Sequence, residues 1–148
     1  MRAVVQRVSR ASVSSEGNLC GSIEDGIAVL LGVEDTDTAS DADYIASKIL
    51  GLRIFDDAQG QPNLSVEETG GKVLLVSQFT LLGDARKGRR PSYIKAAKPE
   101  TAVPLYEYVL NKVSASVPTV SGVFRTHMEV SLTNDGPFTI LLDSKKTF

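Results

Sequence analysis

The chain has 148 residues, of which 42% are hydrophobic and 23% are charged, and this composition is typical of a globular protein. Its length fits one domain, which can bury about two thirds of its unfolded surface without disulfide bridges. The net charge of −2 excludes a general attraction to nucleic acid, so any such contact must come from a local cluster of cations.

The single cysteine, Cys20, cannot form a disulfide within the chain, and an unpaired thiol is typical of a reducing compartment. No apolar run approaches the roughly 20 residues that a membrane-spanning helix requires. We therefore expect a cytoplasmic protein that makes no contact with a membrane.

The first third of the chain predicts strands. Residues 2–9 and 11–15 carry β-branched residues at alternating positions, and a turn at residues 16–18 leads to a further strand over residues 19–24. Residues 27–33 then form an almost unbroken apolar run. Such a run is typical of a strand that is covered on both faces.

Two helices are predicted from apolar residues that recur at intervals of three and four. The first set is Ala42, Ile45, Ala46, Ile49 and Leu50, and the second is Ala102, Leu105, Tyr106, Val109, Leu110 and Val113. Pro99 lies near the start of the second helix, where proline is tolerated. The apolar face of each helix is expected to pack on the core.

The remaining predicted strands cover residues 52–55, 72–80, 119–124, 128–133 and 138–142, with a turn at residues 134–137 between the last two. Strands interleaved with two helices predict a mixed α/β fold, built by residues 1–148 as a single domain. We expect a mixed, mostly antiparallel sheet or partial barrel with both helices packed on it.

One segment is strongly basic although the chain as a whole is acidic. Residues 86–98 contain six of the sixteen Lys and Arg residues and no acidic residue, namely Arg86, Lys87, Arg89, Arg90, Lys95 and Lys98. Such a cluster creates a local positive field that can bind phosphates. The same pattern also fits a solvated surface loop, and the segment alone does not decide between the two.

The inventory of catalytic side chains is small. His127 is the only histidine and Cys20 the only cysteine, and no Gly-x-Ser-x-Gly motif presents a serine nucleophile. One histidine and one cysteine cannot supply the three or four ligands of a zinc site, and the glycine patterns of nucleotide-binding loops are missing. We therefore predict no metal and no cofactor, and an enzyme of this kind must work without a strong side-chain base.

Two polar segments stand at predicted strand ends. Ser77-Gln78-Phe79-Thr80 comes directly before a loop, where scaffolds often present functional groups, but it also fits a strand that alternates faces as it leaves the core. Residues 134–139 read Asn-Asp-Gly-Pro-Phe-Thr and include the Gly136–Pro137 bond. Most X-Pro bonds in folded proteins are trans, so the residues alone favour an ordinary trans turn there.

These two segments belong to a series of motifs through which the sequence closely resembles the D-aminoacyl-tRNA deacylase family over essentially its whole length. The shared motifs are the opening Met-Arg-Ala-Val-Val-Gln-Arg-Val, Leu-Gly-Val at 31–33, Asp-Ala-Asp-Tyr at 41–44, Leu-Arg-Ile-Phe at 52–55, Ser-Gln-Phe-Thr-Leu at 77–81, Arg-Lys-Gly-Arg-Arg-Pro at 86–91, Gly-Val-Phe at 122–124 and Asn-Asp-Gly-Pro at 134–137. Each motif is weak evidence alone, and their common order and spacing make the resemblance specific.

The resemblance implies an enzyme that hydrolyses the ester of D-aminoacyl-tRNA, and of mischarged glycyl-tRNA, while rejecting L-aminoacyl-tRNA. It implies a homodimer whose active sites lie at the subunit interface and bind the aminoacylated 3′ end of tRNA, with a cis Gly136–Pro137 bond lining the chiral pocket. By family role, the catalytic residues are Ser77, Gln78, Phe79, Thr80 and Thr139. The substrate-binding residues are Gly136, Pro137, Phe138 and Met128, and the tRNA-binding residues are Arg86, Lys87, Arg89 and Arg90.

The family further implies that the 2′-hydroxyl of the terminal adenosine assists attack by water, with backbone groups near Phe79 and Thr80 holding the reacting carbonyl. Two alternatives remain at this point. One is an RNA-binding module without catalysis, and the other is an esterase with Thr80 or Thr139 as nucleophile. Leu82, Phe138 and Arg125-Thr126 differ from the residues usual in the family, which bears on the size of the pocket.

Overall fold

The computed structural model describes residues 1–148 as a curved sheet with helices on one side. The strands are β1 (Arg2–Ser15), β2 (Asn18–Ile23), β3 (Gly26–Gly32), β4 (Phe55–Asp56), β5 (Pro62–Leu64), β6 (Lys72–Ser77), β7 (Thr119–Ser121) and β8 (Met128–Asp143). The helices are α1 (Ala39–Gly51), α2 (Val66–Thr69) and α3 (Pro99–Ser114), and Phe79–Leu82 forms a 3₁₀ turn.

The six-stranded main sheet has the order β2-β1-β3-β6-β7, and β8 pairs with β1 as well. All three partners of β1 are antiparallel to it, whereas β3–β6 and β6–β7 are parallel. The sheet curls toward closure, so that its two end strands, β2 and β7, approach each other. A Cβ at Gly21 on β2 would stand only 2.7 Å from Cβ of Val120 on β7. This arrangement confirms the predicted mixed, mostly antiparallel sheet with helices packed on it.

Two apolar clusters cover the two faces of the central strands. The larger cluster joins Val29 and Leu75 to the buried faces of α1 and α3, represented by Ile45 and Val109. The smaller one joins Ala28 and Leu74 to the far half of β1 and to β2. The unbroken apolar runs of β3 and β6 are explained by this burial on both faces.

The helices begin where their sequences predict. At the start of α1, the Thr38 N–H donates to the Asp41 carboxylate at 2.8 Å in a capping box. Pro99 occupies the first turn of α3. No helix of the protein combines the length and the hydrophobicity that crossing a membrane would require.

Several predicted boundaries are wrong. Residues 52–55 contribute only Phe55 to a strand, β6 ends at Ser77 instead of residue 80, β7 is limited to Thr119–Ser121, and α2 was not predicted. The predicted turn at residues 134–137 is instead part of the continuous strand β8, which pairs with β1 on both sides of an irregularity. Asn134 pairs with Val8 and Thr139 with Gln6, so β8 carries extra residues there and they bulge from the ladder.

Candidate active site

The segment Ser77–Thr80 leaves the sheet at the end of β6 and turns sharply. The Gln78 N–H donates to the Leu31 carbonyl at 2.8 Å, which continues the pairing with β3 by one residue. The 3₁₀ turn follows at once, and its first internal bond is from the Leu81 N–H to the Gln78 carbonyl. The turn can lie this close because Gly32 has no Cβ; one would stand 2.8 Å from the Gln78 carbonyl oxygen.

This geometry leaves two backbone donors free. The N–H groups of Phe79 and Thr80 lie between the bonded N–H groups of Gln78 and Leu81, and they make no hydrogen bond within the fold. Free N–H groups at the start of a turn are suited to stabilising a developing negative charge.

A cavity of about 530 Å³ opens beside this segment. Ser77, Gln78 and Phe79 form one wall and Met128 lies on another. Most of the rest is apolar and comes from β3, β6, β8, α3 and the adjoining loops: Leu31, Val33, Val76, Ala97, Pro99, Ala102, Tyr106, Phe124 and Val130. Arg125, Thr126 and His127 complete the lining. Four of the predicted site residues are thus brought together, and Thr80 lies just outside the lining.

Tyr106 and Phe124 supply the aromatic surface inside the cavity, with ring centroids 5.9 Å apart. The Tyr106 hydroxyl donates to the Leu75 carbonyl at 3.0 Å, and burial raises its pKa to about 12. Tyr106 therefore stays neutral at physiological pH and does not act as a base there. The sequence predicts an element for each residue but does not assign either to the site, because only long-range packing brings them to Ser77.

The two threonines of the predicted site have no basic partner. The Thr80 hydroxyl accepts a hydrogen bond from the Gln78 side-chain amide. The Thr139 hydroxyl accepts from the Gln6 amide at 3.2 Å and lies 3.5 Å from the Asn134 amide oxygen. A threonine nucleophile needs a base to remove its proton. An amide is not such a base, so this geometry disfavours either threonine as a nucleophile.

The Gly136–Pro137 segment projects from the β8 bulge. Its peptide bond is cis, and both residues are exposed. The Asn134 amide closes the base of the bulge by donating to the carbonyls of Arg7 and Phe138 at 2.8 and 3.0 Å. Gly136 has a φ of 138°, a conformation that side chains rarely adopt.

The bulge and the cavity are separate within one chain. None of Gly136, Pro137, Phe138 and Thr139 lines the cavity beside Phe79. Arg7 holds the bulge in place through contacts with Asp135 and Phe138, and no sequence motif had assigned Arg7 to the site. In a single chain, the residues of the predicted site therefore lie in two separate places, the cavity beside Phe79 and the exposed bulge that carries Gly136–Pro137.

The basic segment is attached to the site through aromatic rings. Tyr93 packs edge-on against Phe79 with centroids 5.2 Å apart, and 58% of Phe79 stays exposed.

One cation of the basic segment is paired within the chain. Arg86 is paired with Asp84 at 2.5 Å; these contacts lower the pKa of Asp84 and raise that of Arg86. No ion pair involves the exposed side chains of Lys87, Arg89 and Arg90. The neutralisation of Arg86 was not predicted, because Asp84 lies just before the acid-free segment.

The possible metal ligands of the chain are scattered, and its single histidine, His127, lies at the cavity. No three His, Cys, Asp or Glu side chains are grouped so that they could bind a metal ion. His127 lines the cavity but is exposed, and its backbone carbonyl accepts from the Glu16 N–H at 3.3 Å. The polar groups available at the cavity are therefore hydroxyls, amides, the His127 imidazole and the Arg125 guanidinium, together with the free N–H groups of Phe79 and Thr80.

Residues 4–143 match the family model described as D-Tyr-tRNA(Tyr) deacylase. A D-aminoacyl-tRNA deacylase of Kosmotoga olearia is 58% identical over 148 residues, and one of Koribacter versatilis is 58% identical over 149 residues, each match covering 100% of both chains. Among solved structures, the c-Myc DNA Unwinding Element Binding Protein is 39% identical with a TM-score of 0.91, covering 97% of this chain and 98% of that one. A probable eukaryotic D-amino acid tRNA deacylase, 17% identical with a TM-score of 0.83 over 95% and 97% of the chains, shares the fold.

Proposed function

The chain belongs to the D-Tyr-tRNA(Tyr) deacylase family. We propose that it hydrolyses the ester between a D-amino acid and tRNA and rejects the L-aminoacyl ester. Water supplies the new carboxylate oxygen and the proton of the released ribose hydroxyl, so the products are a free D-amino acid and tRNA. Glycyl-tRNA is a second substrate under this proposal. The enzyme thereby removes wrongly charged tRNA before translation uses it.

The working enzyme is a homodimer in this proposal. One observation carries it: the cavity beside Phe79 is open, whereas the rigid Gly136–Pro137 segment lies outside it and is exposed. A second copy placing that segment over the cavity would complete both sites, because a symmetric interface exchanges the same surfaces.

Chiral selection follows from a backbone wall. In L- and D-aminoacyl groups the hydrogen and the side chain occupy opposite positions on Cα. A rigid main-chain segment next to one of these positions leaves room for a hydrogen and excludes a side chain. Gly136 suits this role because it brings backbone near the substrate without a Cβ. Glycine carries hydrogen in both directions, and such a wall does not exclude it.

The chemistry needs no side-chain base. An aminoacyl ester is already activated, so positioning and stabilisation of the oxyanion lower much of the barrier. The free N–H groups of Phe79 and Thr80 are suited to hold the carbonyl oxygen as negative charge develops. The 2′-hydroxyl of the terminal adenosine would assist the attacking water, and Ser77, Gln78, Thr80 and Thr139 would position the reacting groups.

The nucleic acid would be bound at two places. The apolar part of the cavity and the exposed ring of Phe79 can accept the terminal adenine, since bases stack on aromatic rings. Met128 and the partner's bulge, including Phe138, would bound the aminoacyl group. Lys87, Arg89 and Arg90 would contact acceptor-stem phosphates, and Arg86 would contribute less because of its pairing with Asp84.

Incubation with D-tyrosyl-tRNA and with L-tyrosyl-tRNA tests this function directly. We expect release of D-tyrosine with little release of L-tyrosine, together with a molecular mass in solution of twice the 15.8 kDa chain. Equal hydrolysis of both esters would refute the backbone wall. Binding of both tRNAs without release of either amino acid would instead support an RNA-binding module.

A further inference from the structure

Arg125 is the only permanently charged side chain that lines the cavity. No Asp or Glu lines it, and no ion pair of the fold involves Arg125. The surrounding surface is largely apolar, and the Arg125 side chain is exposed. The cavity therefore carries an uncompensated positive charge at its solvent side, which favours an anionic ligand.

The loop that carries Arg125 is fixed in place. The Thr126 hydroxyl donates to the Val123 carbonyl at 2.9 Å, and the buried Ser15 hydroxyl in turn donates to Thr126 at 2.6 Å. Arg125 itself has a φ of 63°, in the left-handed region that favours glycine. This loop keeps an arginine beside the cavity despite an unfavourable backbone conformation.

The start of α3 adds a second positive contribution. Pro99 and Ala102 of its first turn line the cavity, so the positive end of the helix dipole borders the same cavity as Arg125. The first-turn acid Glu100 is exposed and does not line the cavity. Two different elements thus make the cavity attractive to an anion.

We propose that Arg125 binds the phosphodiester that joins the terminal adenosine of tRNA to the preceding nucleotide. This inference rests on the proposed function, since it needs a nucleoside in the cavity with its acylated side at Ser77–Phe79. The ribose 5′ carbon then points away from the reacting ester, and its phosphate must leave through the opening. Arginine suits this contact because its planar fork of N–H donors matches phosphate oxygens.

Two small substrates test this contact. The D-phenylalanyl ester of adenosine has no phosphate, and the D-phenylalanyl ester of the dinucleotide cytidylyl-adenosine has one. The ratio of their kcat/KM values, dinucleotide over nucleoside, measures what the phosphate and the cytidine contribute together, and the change of this ratio in an Arg125 variant measures the contact with Arg125. Arg125→Gly is the informative variant, because glycine tolerates a positive φ and the loop should keep its conformation. Arg125→Gln keeps most of the side chain while removing the charge, and Arg125→Lys keeps the charge without the fork.

We expect the ratio to fall by about ten-fold or more in Arg125→Gly and Arg125→Gln, as for loss of one hydrogen bond to a charged group, and less in Arg125→Lys. Lys72→Gln, at the opposite end of β6, is the matched control and should keep the wild-type ratio. An unchanged ratio in folded Arg125→Gly and Arg125→Gln would overturn the proposal. Failure of the wild type to hydrolyse either D-ester would instead refute the proposed function.

Discussion

The guanidinium of Arg7 lies over the ring of Phe138, with its central carbon 5.0 Å from the ring centroid. The same side chain donates from Nε to the Asp135 carbonyl at 3.1 Å and from Nη1 to the Ile54 carbonyl at 2.7 Å. These contacts flank the Gly136–Pro137 bond on both sides and tie it to the body of the protein. Arg7 is thus a positioning residue for the bulge.

Arg7→Ala should weaken chiral selection. With the brace removed, the bulge becomes mobile, so the ratio of kcat/KM for D- over L-tyrosyl-tRNA should fall by about ten-fold or more. Loss of these hydrogen bonds from the charged Arg7 side chain should also lower the free energy of unfolding by about 1–3 kcal/mol. Urea denaturation and the paired assays measure both effects.

Arg10→Ala provides the matched control for this variant. Arg10 also lies on β1 and donates to β8, at 3.2 Å to the Thr133 hydroxyl, but it is exposed and makes no hydrogen bond to residues 135–138 of the bulge. Its replacement should leave the D/L ratio unchanged. A folded Arg7→Ala variant with the wild-type D/L ratio would contradict the positioning role.

Replacing either threonine should slow the enzyme only partly. Thr80→Val and Thr139→Val remove hydroxyls that are bonded to amides, so we expect kcat to fall by no more than about ten-fold. Loss of a true nucleophile costs on the order of 10⁴ to 10⁶ in kcat. Rapid-quench assays with D-tyrosyl-tRNA, combined with mass spectrometry for an acyl-enzyme, separate the cases. An acyl group trapped on Thr80 or Thr139 would replace the water mechanism with covalent catalysis.

The main elements could be predicted because their patterns are local and strong. The apolar runs of β3 and β6 and the helical spacing of Ile45 and Val109 each reflect burial of the segment itself. The bulge in β8 could not be predicted, because Asn, Asp, Gly and Pro mark turns and bulges alike. Only the pairing of Asn134 with Val8 and of Thr139 with Gln6 decides between them.

The candidate site was predictable in part for the same reason. The polar end of β6 is visible in the sequence, since Ser77 and Gln78 follow a buried run. Arg7 and Tyr93 join the site only through contacts between distant segments, which no local pattern reveals, and Arg125 was connected with the pocket only by the family resemblance. Their chemistry was visible, but their position was not.

Charge reversal in the basic segment should weaken tRNA binding. Arg89→Glu with Arg90→Glu removes two unpaired cations, so affinity should fall and the slope of log K against log salt should become shallower by about 0.9 for each lost phosphate contact. Arg86→Ala is the internal comparison, because Asp84 already neutralises Arg86. We expect it to have a clearly smaller effect. Filter binding at several salt concentrations measures both quantities, and an unchanged slope in the double variant would remove the segment from the tRNA interface.

Asp41 should contribute stability that is lost in acid. Burial alone would raise its pKa, but hydrogen bonds from Ser144 and Thr38, with Lys145 nearby, hold the pKa at about 2. The unfolded value is about 3.9, so the charged carboxylate stabilises the fold above about pH 4, and this contribution disappears as the pH falls toward 2.

The variant Asp41→Asn tests this contribution. It should lower the free energy of unfolding at pH 7 by about 2 kcal/mol, because the amide is uncharged and has one accepting oxygen where Asp41 uses two, for Ser144 and for Thr38. The difference from the wild type should shrink between about pH 4 and pH 2, where the wild-type carboxyl becomes protonated. Asp35→Asn is the control, because Asp35 is exposed and its side chain makes no hydrogen bond or ion pair. Urea denaturation across this pH range measures the effect, and a difference that stays constant down to pH 2 would show that Asp41 acts through packing instead of charge.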